Sequence, residues 1–318
     1  MAASGGSTRR AVLGAGAVLP LGLVGCGSGS GSGAPGSPSA APPSASATAT
    51  EAAGAARHTA RFAALERAHG ARLGVYALDT GSGTALAHRP DDRFAFCSTF
   101  KTLATAAVLH ARPPAHLDKR VTFTRAEVNS ISPVAEKHIG TGMTVRELMD
   151  AAVRHSDGTA GNLLMREIGG PAGLTSYLRG LGDSVSRMDQ YEPELNNARP
   201  GDPRNTTTPR AAAGLHRGLL LGDALPARQR ALLKDWLLHT RTGQQRILAG
   251  VPASWTVAHK TGTGNYGRAN DIAVLWPPRA APLVLVVLTD RAGYEAEPKE
   301  ALIAETARYV VSVLAGRA

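Results

Sequence analysis

Apolar residues are spaced in two ways along this chain. Early on, and again over the last quarter, they gather in short runs bounded by Gly, Pro, Asn and Asp. RLGVYALDT and GTALAHRP, joined by the turn residues of TGSG, form the first such set, and SWTVAHKTGTG, RANDIAVLWP and PLVLVVLTDR the second. These runs predict strands. Between the two sets the intervals lengthen to three and four behind capping residues, which predicts helices over 98–111, 144–155, 159–168, 171–181, 209–221 and 227–240. Two more helices are expected at 57–69 and 298–314. Strands at both ends with helices between predict an α/β lobe interrupted by an all-helical lobe. No internal repeat is visible.

The first 56 residues have a different texture. Arg9 and Arg10 precede an apolar run that ends LVGC at Cys26, the layout of an export signal over residues 1–25. The arginine pair resembles the signals of bacteria that export folded proteins, and LVGC resembles a lipobox, where cleavage leaves a new first cysteine to be acylated. Residues 26–56 are rich in Gly, Ser, Pro and Ala with almost no bulky apolar side chain, so a lipid-attached disordered tether is expected there. The folded domain is expected over residues 57–318, held to the outer side of a membrane through lipid on Cys26, with partial release or secretion as the alternative.

Composition narrows the remaining choices. The 318 residues are 43% hydrophobic, enough for a buried core of one or two domains. The net charge of +10 raises the question of nucleic acid, but aromatics are only 4%, the arginines are scattered, and no helix-turn-helix, zinc or RNP-like pattern occurs. The ten histidines include no HxH or HxxxH pair, and Cys97 is the lone cysteine of the domain, so neither a zinc site nor an intrachain disulfide is expected. No nucleic acid, metal or cofactor is assigned.

Four short stretches carry chemistry. In FCSTFKTLA, Ser98 and Lys101 sit one helical turn apart at a helix start, where a base can activate the hydroxyl and the helix N-terminus can hold a developing oxyanion. HSDG at 155–158 precedes another helix. YEPELN at 191–196 lies in a long stretch without regular pattern, and KTGTG at 260–264 places glycine inside a strand, where another group can approach the backbone closely. Taken singly, the first reads as a helix start with a surface lysine, HSDG as a plain N-cap, and KTGTG equally well as a bulge.

Together, in this order and over essentially all of residues 57–318, they resemble the class A serine β-lactamases, whose motif set is S-x-x-K, S-D-N and K-T-G. The resemblance implies an antiparallel sheet flanked by helices beside an all-helical lobe, with the site between them. It also implies a monomeric hydrolase that opens the β-lactam ring of penicillins and cephalosporins and confers antibiotic resistance. Carried over by motif, Ser98 is the acylated nucleophile, Lys101 its proton partner, Ser156 the relay to the leaving nitrogen, and Lys260 the cation beside Ser156. Glu192 activates the hydrolytic water and Asn196 helps hold it. Thr261, Gly262 and Thr263 line the substrate strand, and the N–H groups of Ser98 and Thr263 form the oxyanion hole. Whether Lys101 or Glu192 takes the first proton stays open.

Three positions depart from the family pattern. Gly158 replaces the asparagine of S-D-N that would contact the substrate's side-chain amide, Arg246 stands in for an arginine absent at Ala269, and Ile131 replaces the usual aromatic before the gate segment SPV. These bear on substrate preference rather than reaction class. Two alternatives are a penicillin-binding transpeptidase or carboxypeptidase, which would stay acylated, and a non-catalytic lipoprotein that senses β-lactams. YEPELN argues against the first, and SDG in place of SDN is the support for the second.

Overall fold

The computed structural model describes residues 45–315; the expected signal segment, Cys26 and the tether as far as residue 44 lie outside the described residues. In chain order the elements are α1 (Ala45–His69), β1 (Arg72–Asp79), β2 (Ala85–His88), β3 (Phe94–Ala95), α2 (Phe100–Ala111), β4 (Arg120–Val121), β5 (Met143–Thr144), α3 (Val145–Arg154), α4 (Gly158–Glu167) and α5 (Gly170–Gly180). There follow β6 (Thr206–Thr207), α6 (Pro209–Leu220), α7 (Ala227–Leu238), α8 (Ile247–Gly250), β7 (Thr256–Gly264), β8 (Arg268–Trp276), β9 (Leu283–Asp290) and α9 (Glu300–Leu314).

One expectation is corrected. α1 begins at Ala45, not Arg57, and so takes residues 45–56 from the segment read as tether. Alanine is the strongest helix former and dominates this stretch, so local propensity extends the helix even where little apolar surface is available to bury.

The sheet is antiparallel, in the order β2-β1-β9-β8-β7. Sequence-distant β1 and β9 pair along their whole lengths, from Arg72 opposite Asp290 to Asp79 opposite Leu283. Both faces are covered, which explains the unbroken apolar run of β9. Leu283, Leu285 and Val287 pack with Phe62, Leu65, Ile303 and Val310 of α1 and α9, whereas Val284, Val286 and Leu288 join the large core shared with α2 to α7. The two-residue side-chain alternation of a strand thus divides one hydrophobic run between two cores.

The helices that carry the site are fixed by local chemistry. Thr144 caps α3 in a capping box with Glu147. Asp157 caps α4 through Ala160 N, 2.9 Å from Oδ1, while its Oδ2 accepts from Val134 and Ala135 at 2.9 and 2.8 Å. This buried carboxylate therefore holds the SPV segment against the start of α4.

Candidate active site

Ser98 lies in a short turn, Cys97–Thr99, that leads directly into α2. Cys97 just before it has φ +45° and Ser156 has φ +58°, a left-handed conformation that costs a non-glycine residue on the order of 1–2 kcal/mol. Both strained residues border the same cluster of side chains, so the surrounding packing holds them there.

The predicted catalytic residues meet. Ser98 Oγ donates to Glu192 Oε1 at 2.5 Å and accepts from Lys101 Nζ at 2.9 Å. Lys101 Nζ also lies 2.6 Å from Glu192 Oε2 and donates to the Ser156 carbonyl at 2.7 Å. Lys101 is completely buried and Glu192 nearly so, so each charge is compensated mainly by the other. Lys260 Nζ donates to Ser156 Oγ and to the Thr261 carbonyl, both at 2.9 Å. Burial holds the Lys260 ammonium well below the ordinary lysine range; the Lys101 charge adds to this, while Glu192 and Asp271 oppose it. Burial likewise pushes the Cys97 thiol up to about 11, so this cysteine stays protonated and takes no nucleophilic part at neutral pH.

Glycine permits the close approaches on which the cluster depends. A Cβ at Gly262 would lie 2.8 Å from the Phe96 carbonyl and 3.0 Å from Cys97 Cβ, so the strand can run against the nucleophile turn only with glycine there. A Cβ at Gly161 would lie 2.8 Å from Lys101 Cε, so α4 leaves a groove through which the lysine stem reaches Ser98.

The substrate-binding candidates are distributed around this centre. Ile131 is 42% exposed and lines a cleft of about 420 Å³ together with Asn196, Thr263, Gly264 and Tyr294. Asn196 is buried, and its Oδ1 has no hydrogen-bond partner among the described residues. Thr261 is buried with its hydroxyl 2.6 Å from that of Thr242, whereas Thr263 is exposed.

Arg246 is buried and bonded on four of its five N–H groups. Nη1 donates to the Gly262 and Asn270 carbonyls, each at 2.9 Å, Nη2 to Thr263 Oγ1 at 2.7 Å, and Nε to Glu300 at 2.9 Å. A two-pronged fork facing the substrate is therefore not available; one N–H remains, beside the Thr263 hydroxyl. Gly158 does not leave open space either, because the Asn129 carboxamide fills it: a Cβ at Gly158 would lie 2.6 Å from Asn129 Oδ1 and 2.9 Å from Glu192 Oε2.

Sequence reasoning missed Asn162. Its Oδ1 accepts from Glu192 N at 3.0 Å and its Nδ2 donates to Glu192 O at 2.7 Å, so one amide grips both backbone groups of the residue that bears the carboxylate. A clue was present in the poor helix propensity of an asparagine in the middle of a helix, just before the apolar run Leu163–Met165.

Residues 57–314 match the model of the beta-lactamase enzyme family. The chain is 58% identical over 261 residues to a beta-lactamase of Mycobacterium tuberculosis, covering 80% of this chain and 85% of that one. It is 52% identical over 256 residues to beta-lactamase AST-1 of Nocardia asteroides, covering 80% and 83% of the two chains. Among solved structures, the beta-lactamase of Desulfarculus baarsii superposes with a TM-score of 0.80 at 50% identity, covering 83% of this chain and 99% of that one. An ancestral class A beta-lactamase does so with a TM-score of 0.78 at 50% identity, covering 81% and 100%.

Proposed function

The chain belongs to the class A serine β-lactamases and hydrolyses β-lactams, and we propose that it does so through an acyl-enzyme on Ser98 that a Glu192-activated water clears. The observation that carries this reading is the pair of contacts to Ser98 Oγ, from Glu192 Oε1 at 2.5 Å and Lys101 Nζ at 2.9 Å. Lys101 points its ammonium at the hydroxyl oxygen, so the hydroxyl proton is directed at the carboxylate. This supports Glu192 as acceptor of the first proton, with Lys101 stabilising the negative charge that develops on Oγ.

Attack of Oγ on the lactam carbonyl breaks the C–N bond, and the nitrogen needs a proton as it leaves. Ser156, bonded to Lys260, is the donor in this reading, with Lys260 reprotonating it and drawing the substrate carboxylate. β7 is the edge strand of the sheet, so its outer N–H groups are not committed to a neighbouring strand. That supports the Thr263 N–H, with that of Ser98, as the oxyanion donors. Before the second half the proton gained by Glu192 passes on to restore Lys260; the freed Glu192 carboxylate then takes a proton from water held beside the Asn196 amide and gives it to Ser98 Oγ as the ester C–O bond breaks. The same carboxylate serves both halves, which favours turnover over lasting acylation.

The working unit in this reading is the monomer, since every named group comes from one chain. Export with lipid on Cys26, on the outer side of the membrane, remains part of the proposal and is supported by Arg9, Arg10 and LVGC.

Intact-mass measurement on the purified protein with excess benzylpenicillin tests the mechanism. Glu192→Gln, which keeps the shape and loses the base, is expected to accumulate an adduct on Ser98 and to turn over about 10²- to 10⁴-fold more slowly, whereas the unaltered enzyme shows no lasting adduct. A Glu192→Gln protein that turns over at the unaltered rate would remove the role given to that residue.

A further inference from the structure

The carboxamide of Asn129 occupies an unusual place. It faces Gly158, at a distance that no side chain at 158 could share: a Cβ there would lie 2.6 Å from Asn129 Oδ1 and 2.7 Å from Nδ2. Its orientation is fixed by its neighbours, because Oδ1 accepts from Ile131 N at 3.0 Å and from Ser132 Oγ at 2.8 Å. A backbone N–H can only donate, so the oxygen must sit there and the NH₂ group must point the other way, toward the Glu192 carbonyl. Of the two hydrogens on Nδ2, one makes a long contact of 3.4 Å to the Glu192 carbonyl, an oxygen already served by Asn162 at 2.7 Å. The other has no acceptor among the described residues. Asn129 is half-buried, and the next two residues, Ser130 and Ile131, line the cleft.

We propose that Asn129 is a specificity-determining residue, whose unused N–H binds the acylamino carbonyl that flanks the β-lactam ring of penicillins and cephalosporins. Such a carbonyl loses its water when the ring is seated against Ser98, and a buried acceptor needs a donor. Gly158 offers none from a side chain, and the Asn129 amide, packed against Gly158 and next to the cleft-lining Ser130 and Ile131, is the donor at hand. The inference rests on the hydrolytic reading above.

Kinetics on two substrates provide the test: benzylpenicillin, and penicillanic acid, which keeps the ring and carboxylate but has no acylamino group. Asn129→Asp retains an acceptor for Ile131 and Ser132 and loses the donor, while Asn129→Ala loses both; thermal melting shows that each variant is folded. Both variants are expected to lower kcat/KM about tenfold for benzylpenicillin, the worth of one hydrogen bond, and by no more than about threefold for penicillanic acid.

Gly158→Asn in the Asn129→Ala background supplies an amide from the other side and is expected to recover preference for benzylpenicillin. Gly158→Asn alone is expected to melt lower than that double variant, because the two side chains collide. Equal losses on both substrates would assign Asn129 to the local turn and overturn the proposal, as would undiminished benzylpenicillin kinetics in Asn129→Asp. An unaltered enzyme that opens neither substrate would instead remove the hydrolytic reading itself.

Discussion

Asn205 Nδ2 donates to Gln190 Oε1 across 2.8 Å, joining the two ends of the loop that carries Glu192. Asn205 is completely buried at φ +56°. Its Oδ1 accepts from the backbone N–H groups of Asp189 and Gln190, both at 2.9 Å, and its own N–H donates to Asp189 Oδ2 at 3.0 Å. A neutral amide suits this place because it accepts on one side and donates on the other without adding charge.

Asn205→Asp would put a second carboxylate beside Asp189 in a buried position. Even with the Gln190 amide turned to donate, that charge lacks a cation, and a loss of about 3 kcal/mol is expected, together with slower deacylation because Glu192 rides on the loop. Adding Gln190→Arg supplies the cation and is expected to restore much of both. The pair Arg187–Asp189, bonded at 3.0 Å between Nε and Oδ2, is left intact. A double-mutant cycle on melting and deacylation measures the coupling; a value near zero would show that the 190–205 contact does not hold the loop.

The elements were legible because binary pattern and capping are local. Helices α3 to α7 and strands β7 to β9 lie within about two residues of their expected bounds, a normal uncertainty for element ends. The site was legible only by motif. Ser98 and Glu192 are 94 residues apart and Ser156 and Lys260 are 104 apart, and spacing alone cannot bring such partners together. Asn162, Gly161 and Asn129 belong to no motif. Their roles arise where α4 meets Lys101 and the Glu192 loop, and where the gate segment meets Gly158, which only tertiary packing defines. Arg246 was expected as a nearby cation, but the four acceptors that occupy it come from three separate places in the sequence, Gly262 with Thr263, Asn270 and Glu300.

A buried histidine sets an acid limit on stability. His216 on α6 has Nδ1 2.8 Å from the Ala212 carbonyl, so Nδ1 carries the hydrogen, and Nε2 has no partner among the described residues. Burial lowers its pKa to about 4, opposed weakly by the bond to Ala212. The folded value lies below the unfolded one, so the neutral ring's contribution is fully present above the unfolded value of about 6.5 and is lost as pH falls toward about 4. The loss amounts to about 3 kcal/mol. Urea unfolding from pH 8 to 4 is expected to show a shallower decline in His216→Leu than in the unaltered protein. Parallel declines would mean that this ring does not bind a proton on unfolding.

Arg246 meets β7 at Thr263, where its Nη2 donates to Thr263 Oγ1 at 2.7 Å while Nη1 fastens the Gly262 and Asn270 carbonyls. Arg246→Ala removes a fixed cation and a hydroxyl's orienting partner together. It is expected to lower kcat/KM for benzylpenicillin by about 1.5–3 kcal/mol, the range of a charge-assisted hydrogen bond. Melting temperature should fall as well, because two buried carbonyls lose their donor. Arg246→Lys keeps the charge but cannot span four acceptors in a fork, so it should recover little of either loss. Thr263→Ala separates the two effects: it removes the hydroxyl while leaving Arg246 on its carbonyls, so activity is expected to fall with little change in melting. If the guanidinium and hydroxyl act as one unit, the double variant loses less activity than the sum of the single losses. Strict additivity of the two would show that Arg246 reaches the substrate without Thr263.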